Sequence, residues 1–154
     1  MSNFDAIDLL RVLKAASLGS SGLFAGAALY ITLAQQPAQM IASPKEKVAQ
    51  FKVFYPRAAK MQAFLAVTCV ATSAGVSYLT KQQVYLIPAG LFASVVGYTM
   101  CSIMPINETL LSIKSTDNNS NVDTLMKSWG EKHFVRTVLS TIGFGVILLE
   151  VFRR

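Results

Sequence analysis

Four stretches of this chain carry no charged side chain: Ala15 to Ala34, Met61 to Thr80, Gln82 to Ile106 and the shorter Thr137 to Leu149. A helix that crosses a membrane needs about 20 mostly apolar residues. The first three stretches meet that length outright. The fourth meets it by starting near His133 and ending near Phe152, which puts Arg136 and Glu150 inside its ends. Only 14% of the residues are charged, against about a quarter in soluble domains, so the water-soluble classes are excluded. The expectation is an all-α, four-transmembrane-helix bundle, up-down-up-down, forming one integral, multi-pass membrane domain over 1–154. Its helices are expected at about 12–35, 57–80, 84–104 and 130–152.

The first run is too long and too glycine-rich for a signal-peptide core, and Asp5 and Asp8 precede it, so it reads as a retained helix. Ala15, Gly19, Gly22 and Gly26 form a small-residue stripe on that helix, which suits close packing on a neighbour or on a partner membrane protein. Pro37 is expected just after its end. Pro44 to Phe54 reads as a short amphipathic helix on the membrane surface. Lys81, Gln82 and Gln83 alone separate the second and third runs, so these form a hairpin, with Pro88 in the first turns of the third helix. The second long connection, Pro105 to Ser128, contains the turn-rich Ser115-Thr-Asp-Asn-Asn-Ser-Asn.

Four spans place both long connections on one membrane face. The distribution of Lys and Arg leans towards a cytosolic or matrix location for that face. The net charge of +6 reads as contact with membrane lipids, since no nucleic-acid-binding pattern accompanies it. Asn107-Glu-Thr and Asn118-Asn-Ser match the glycosylation tripeptide. Cys69 and Cys101 lack metal-type spacing and read as buried thiols.

The long-connection face gathers the chain's unusual polar residues. Trp129, His133 and Arg136, which include the only tryptophan and the only histidine, share one helix face by i,i+4 and i,i+3 spacing. An arginine that close to lipid usually turns towards a bundle interior or a polar cavity. Tyr30, Tyr55, Arg57, Gln62 and Asn107 fall within reach of the same mouth. There His133 is the natural general base or acid. Arg57 and Arg136 suit an anion, Asn107 a developing oxyanion, and Tyr55 and Trp129 stacking on a flat apolar substrate. The same residues also fit a non-enzymatic role, with aromatic anchors at the interface and snorkelling arginines.

Met104-Pro-Ile-Asn107-Glu-Thr-Leu110, followed by Trp129-x-x-x-His133-x-x-Arg136, resembles the anthrone-oxygenase-like family of small four-helix integral membrane proteins. Tyr55-x-Arg57, Pro37 and the small-residue first helix fit the same resemblance, which covers nearly the whole chain. Thr109 departs from it, since a charged residue is expected there. The resemblance implies oxidation of anthrones to anthraquinones by dioxygen, with no metal and no organic cofactor. His133 would take the substrate proton, and Arg136, Arg57 or Asn107 would hold the enolate oxygen. Tyr30, Tyr55, Arg57, Gln62 and Trp129 would contact a small apolar aromatic substrate. The alternative is a membrane scaffold, an accessory subunit or a lipid- or quinone-binding protein. A metal centre fits poorly, because His133 with Cys101 and Glu131 makes no closed ligand set.

Overall fold

The computed structural model describes residues 3–114 and 121–153, all helix and short turns. Helix α1 comprises Asn3–Tyr30, a π-helical turn Ile31–Gln35 and a last turn Gln36–Met40. Helix α2 is Pro44–Thr80. Helix α3 begins with the 3-10 turn Gln83–Tyr85 and continues through Leu86–Tyr98, a second π turn Thr99–Ile103 and Met104–Ser112. Helix α4 is Val122–Phe152. All four are long and apolar enough to cross a membrane.

The helices run well past the ranges expected from the apolar stretches. Pro44 to Phe54 is no separate surface helix but the first third of α2. It starts at a capping box in which Ser43 and Glu46 satisfy each other's backbone N–H, with Pro44 at the first position. Pro56 lies inside α2, and the Arg57 guanidinium donates to the Val53 carbonyl at 2.6 Å in the turn that this proline interrupts. The helix ends at Lys81 in the left-handed conformation (φ 59°). The expected long loops are therefore mostly helix. The connection between α1 and α2 is only Ile41 to Ser43. Of the turn-rich segment, 115–120 lies outside the described residues, as do Asn118 and Arg154.

Pro37 does not end α1. Both π turns finish two residues before a proline, Pro37 and Pro105. A proline inside a helix lacks the N–H for the carbonyl four residues back and collides with it. A wider π turn relieves that collision and lets the helix continue. In α3 the Lys132 ammonium reaches across to the Ser102 carbonyl at 2.9 Å within the π turn.

Two apolar clusters fill the bundle. One joins Phe24, Ala28, Leu65, Ala66, Cys69, Phe92, Val95 and Ile147. The other joins Ile31, Val48, Phe51, Ile103, Leu110, Val122, Met126 and Trp129, and it fills the end where the long connections were expected. There Lys47 on α2 donates to Asp123 on α4 at 2.6 Å. At the other end the Ser17 and Ser73 hydroxyls meet at 2.6 Å between α1 and α2. The inward face of α1 is Ser17, Ser21, Phe24, Ala28 and Ile31 rather than the glycine stripe. Ala15, Gly19 and Gly26 face outward, and only Gly22 approaches another helix, at the Phe144 ring. Cys69 is buried as expected, whereas Cys101 is exposed.

Gly143 brings α4 close against α3, since a Cβ there would stand 2.9 Å from the Phe92 ring. That ring is held edge-on against Phe24 at 5.3 Å. Gly145, two residues on, has open space. Alanine at 145 gains helix propensity of up to about 1 kcal/mol. Gly143→Ala meets overpacking of about 1–3 kcal/mol. Thermal unfolding in detergent should therefore show Gly143→Ala melting below the parent chain and Gly145→Ala at or above it.

Candidate functional site

A polar layer runs between the two apolar clusters, and its first part is a chain of side-chain hydrogen bonds. The Trp129 indole N–H donates to Asn107 Oδ1 at 2.9 Å, the Asn107 amide donates to the Tyr55 hydroxyl at 2.8 Å, and that hydroxyl donates to Met104 Sδ at 3.7 Å. These bonds tie α4, α3 and α2 together. Phe51 stacks on Tyr55 with centroids 5.0 Å apart, and Phe51 and Phe54 both meet Trp129 edge-on. Asn107 is wholly buried with both ends of its amide engaged. It is thus a junction between three helices, buried and closed to glycosylation.

His133 stacks on Trp129, with ring centroids 5.0 Å apart and planes 26° from parallel. Its Nδ1 lies 3.2 Å from the Thr32 hydroxyl, which itself stands 2.8 Å from Thr137. Thr32 belongs to the π turn of α1, so the proline-induced widening is what carries this hydroxyl to the layer. His133 Nε2 is buried and has no hydrogen-bond partner.

One helical turn further, Arg136 donates from Nη2 to Gln62 Oε1 at 2.7 Å, and its guanidinium lies 5.5 Å from the Phe24 ring centre. Such a cation–π contact contributes about 0.5–2 kcal/mol. Among the described residues no carboxylate pairs with Arg136. A buried charge without a counter-ion is expensive, which makes this guanidinium the strongest electrostatic demand in the bundle. Two donors beside it, Arg136 Nε and Gln62 Nε2, are buried and unpaired. Both side chains line a cavity of about 150 Å³, whose wall is otherwise mainly apolar and includes Phe24, Tyr55, Ala66, Val95 and Met104. Arg136 and Gln62, which carry these two donors, are the polar side chains that link the cavity wall to the layer.

Of the residues expected at one mouth, the structure joins Tyr55, Gln62, Asn107, Trp129, His133 and Arg136 in this layer. It leaves two outside. Arg57 is exposed and spends its guanidinium on its own helix. Tyr30 is 63% exposed and lines a separate groove with Gln39, Gln50 and Phe54, because its side of α1 faces away from α4. The sequence reading missed Thr32, Thr137 and Phe24. Thr137 was findable as the residue one turn after His133. Thr32 and Phe24 lie in an apolar run whose inward face had no signal of its own. Among the described residues, no three of His, Cys, Asp and Glu come together in a metal-holding group.

The Trp129–Asn107–Tyr55 chain has a direct consequence. Asn107→Ala leaves the buried indole N–H without an acceptor, a loss of about 1–3 kcal/mol. It should lower the melting temperature by several degrees. It should also change the emission of Trp129, the chain's only tryptophan, in the still-folded protein. Trp129→Phe keeps the ring contacts and should be the milder change.

A family model described as anthrone oxygenase matches residues 51–146. No curated protein and no solved structure matches the chain. The matched range begins at Phe51 and contains the whole Tyr55–Gln62–Asn107–Trp129–His133–Arg136 constellation, while Phe24 and Thr32 are supplied by α1 outside it. Four membrane-length helices, the polar layer and a match over more than half of its length agree: the chain belongs to the anthrone oxygenase family.

Proposed function

We propose that this membrane protein is an oxygenase of a flat, apolar aromatic ketone or quinol-like substrate, working with dioxygen and no cofactor. The observation that carries the reading is Arg136, a buried cation with no carboxylate partner among the described residues, which lines an apolar cavity with Gln62 while its Nε and Gln62 Nε2 have no acceptor. Donors fixed around the position where negative charge develops are the main electrostatic device of enzymes, each removal lowering rates about 100- to 1000-fold. An enolate oxygen suits that pair. Once Arg57 and Asn107 are set aside, Arg136 with Gln62 is the oxyanion site.

The chemistry is balanced without a further reactant. A CH2 flanked by aromatic rings and activated by the carbonyl loses a proton, giving a carbanion delocalised to the carbonyl oxygen. The anion passes one electron to dioxygen, and the resulting radicals combine to a peroxide anion on carbon. That anion regains the proton, and loss of water leaves a second carbonyl. The protein's share is to stabilise the anion and to hold and return the proton. His133 is the proton acceptor in this reading, with Nδ1 occupied by the Thr32 and Thr137 hydroxyls and Nε2 unpaired. Positioned acid–base groups contribute about 100- to 10,000-fold.

Purified protein in vesicles, supplied with an anthrone and air, is the test, followed by quinone absorbance and oxygen uptake. Arg136→Gln should lower turnover at least about 100-fold, and His133→Ala should do the same, while Arg57→Gln and Tyr30→Phe leave it within about twofold of the parent. Tyr55→Phe separates the two titratable neighbours. If it abolishes turnover while His133→Ala does not, the proton belongs to Tyr55. A parent chain that binds the anthrone and oxidises none of it supports the other reading, a lipid- or quinone-binding membrane protein, for which the outward Gly19–Gly26 face offers a contact to a partner helix.

A further inference from the structure

The cavity beside Arg136 does not open where the polar layer meets the end of the bundle. Its deep wall is buried Phe24, Gln62, Ala66 and Val95, and its outer wall is Ala63 on α2 with Val96 and Met100 on α3, all three exposed. These outer residues lie within the charge-free stretches Met61 to Thr80 and Gln82 to Ile106. Their surface neighbours Phe64 and Val67 are exposed as well, so this is a face turned to acyl chains rather than to water. Small side chains at Ala59 and Ala63, one turn apart on α2, keep the gap open. On α3 the π turn begins at Thr99, so the widened part of the helix supplies Thr99 and Met100 to the wall. Over the polar layer itself, the other end is closed by Phe51, Leu110, Val122 and Met126, all buried.

We infer that the ligand of the Arg136–Gln62 site enters sideways from the bilayer, through a port between α2 and α3 bounded by Ala59, Ala63, Val96 and Met100. The ligand is an elongated apolar molecule with one oxygen-bearing edge. Size supports this class. A cavity of about 150 Å³ matches one that holds a single benzene-sized ring, whereas whole drug-sized ligands occupy about 300–1,000 Å³. One ring and its oxygen therefore fit against Arg136 and Gln62, and the remainder lies in the port in contact with lipid. The inference rests on the Arg136–Gln62 site of the proposed function, but it concerns how that site is reached and does not require turnover.

The test uses the full chain in phosphatidylcholine vesicles with an alkyl-benzophenone, a membrane-dissolved aryl ketone that cross-links on illumination. Labelled residues are mapped by mass spectrometry. Labelling is expected on the Ala59–Ala63 and Val96–Met100 segments. It should fall at least about tenfold in Ala63→Trp and independently in Val96→Trp, two lipid-facing changes checked by unchanged melting temperature. Ala38→Trp, in the groove beside Tyr30, should leave it unchanged. Labelling concentrated on the Tyr30–Gln39 groove, or port labelling that survives both port variants, overturns the inference. Port labelling that the plugs abolish, in a chain that oxidises no anthrone, upholds the port and removes the oxygenase reading. Full anthrone oxidation in both folded Trp variants removes the port and leaves the oxygenase reading standing.

Discussion

Arg136 is a guanidinium inside an apolar bundle with no carboxylate to pair with among the described residues, and much of the architecture answers to it. Its charge is met by a carbonyl oxygen from Gln62 and by the face of Phe24, two partners that reduce the penalty of burial without neutralising the charge. A carboxylate in the same place would form a closed pair and leave nothing for a ligand to bind. A neutral amide orients the guanidinium and leaves Nε unpaired. Gln62 is held in turn, because its Oε1 is committed to Arg136 and its own N–H groups must then face elsewhere.

The backbone reaches this arrangement through its prolines. Pro37 and Pro105 each disturb the helix that precedes them, and each disturbance is absorbed as a π turn at the level of the polar layer. The turn in α1 presents Thr32 to His133, and the turn in α3 presents Thr99 and Met100 to the cavity. A local backbone fault thus places side chains of the polar layer and of the cavity wall on two different helices. In the α3 turn the Ser102 carbonyl gains a side-chain donor from α4, the Lys132 ammonium, which ties the widened turn to the neighbouring helix.

The class of fold was legible from the charge-free stretches because the bilayer imposes a length and forbids charge. Helix ends were not, since the extensions beyond the membrane follow ordinary amphipathic rules and carry Lys47, Asp123 and Lys127, which look like loop residues by composition. Periodicity grouped Trp129, His133 and Arg136 correctly, because residues on one helix share a face by arithmetic alone. Topology brought Arg57 and Tyr30 to the same end of the bundle but could not say which way they face, because that depends on how α1 and α2 rotate against the bundle. Gln62 was reachable from its position about one turn beyond Arg57, and the structure pairs it with Arg136, but its role as a neutral partner needed the geometry. Asn107 was singled out as a hydrogen-bond donor at the mouth, and its part in joining three helices was not visible from the sequence. Only the structure distinguishes a satisfied junction from a free donor.

That distinction sorts the whole layer. Trp129, Asn107 and Tyr55 complete one another's hydrogen bonds, so their free energy is spent on fixing three helices in register. His133, Gln62 and Arg136 each retain one buried nitrogen with no partner, in a family of structures where such atoms are expensive to keep. A bundle evolved only to pack would gain stability by removing all three. The rigid chain next to them explains how they are retained, because the Trp129 ring under His133 and the Tyr55 side chain in the cavity wall hold the incomplete groups in place from both sides. Satisfied groups hold the frame, and the unsatisfied ones beside them are where a ligand gains most by binding.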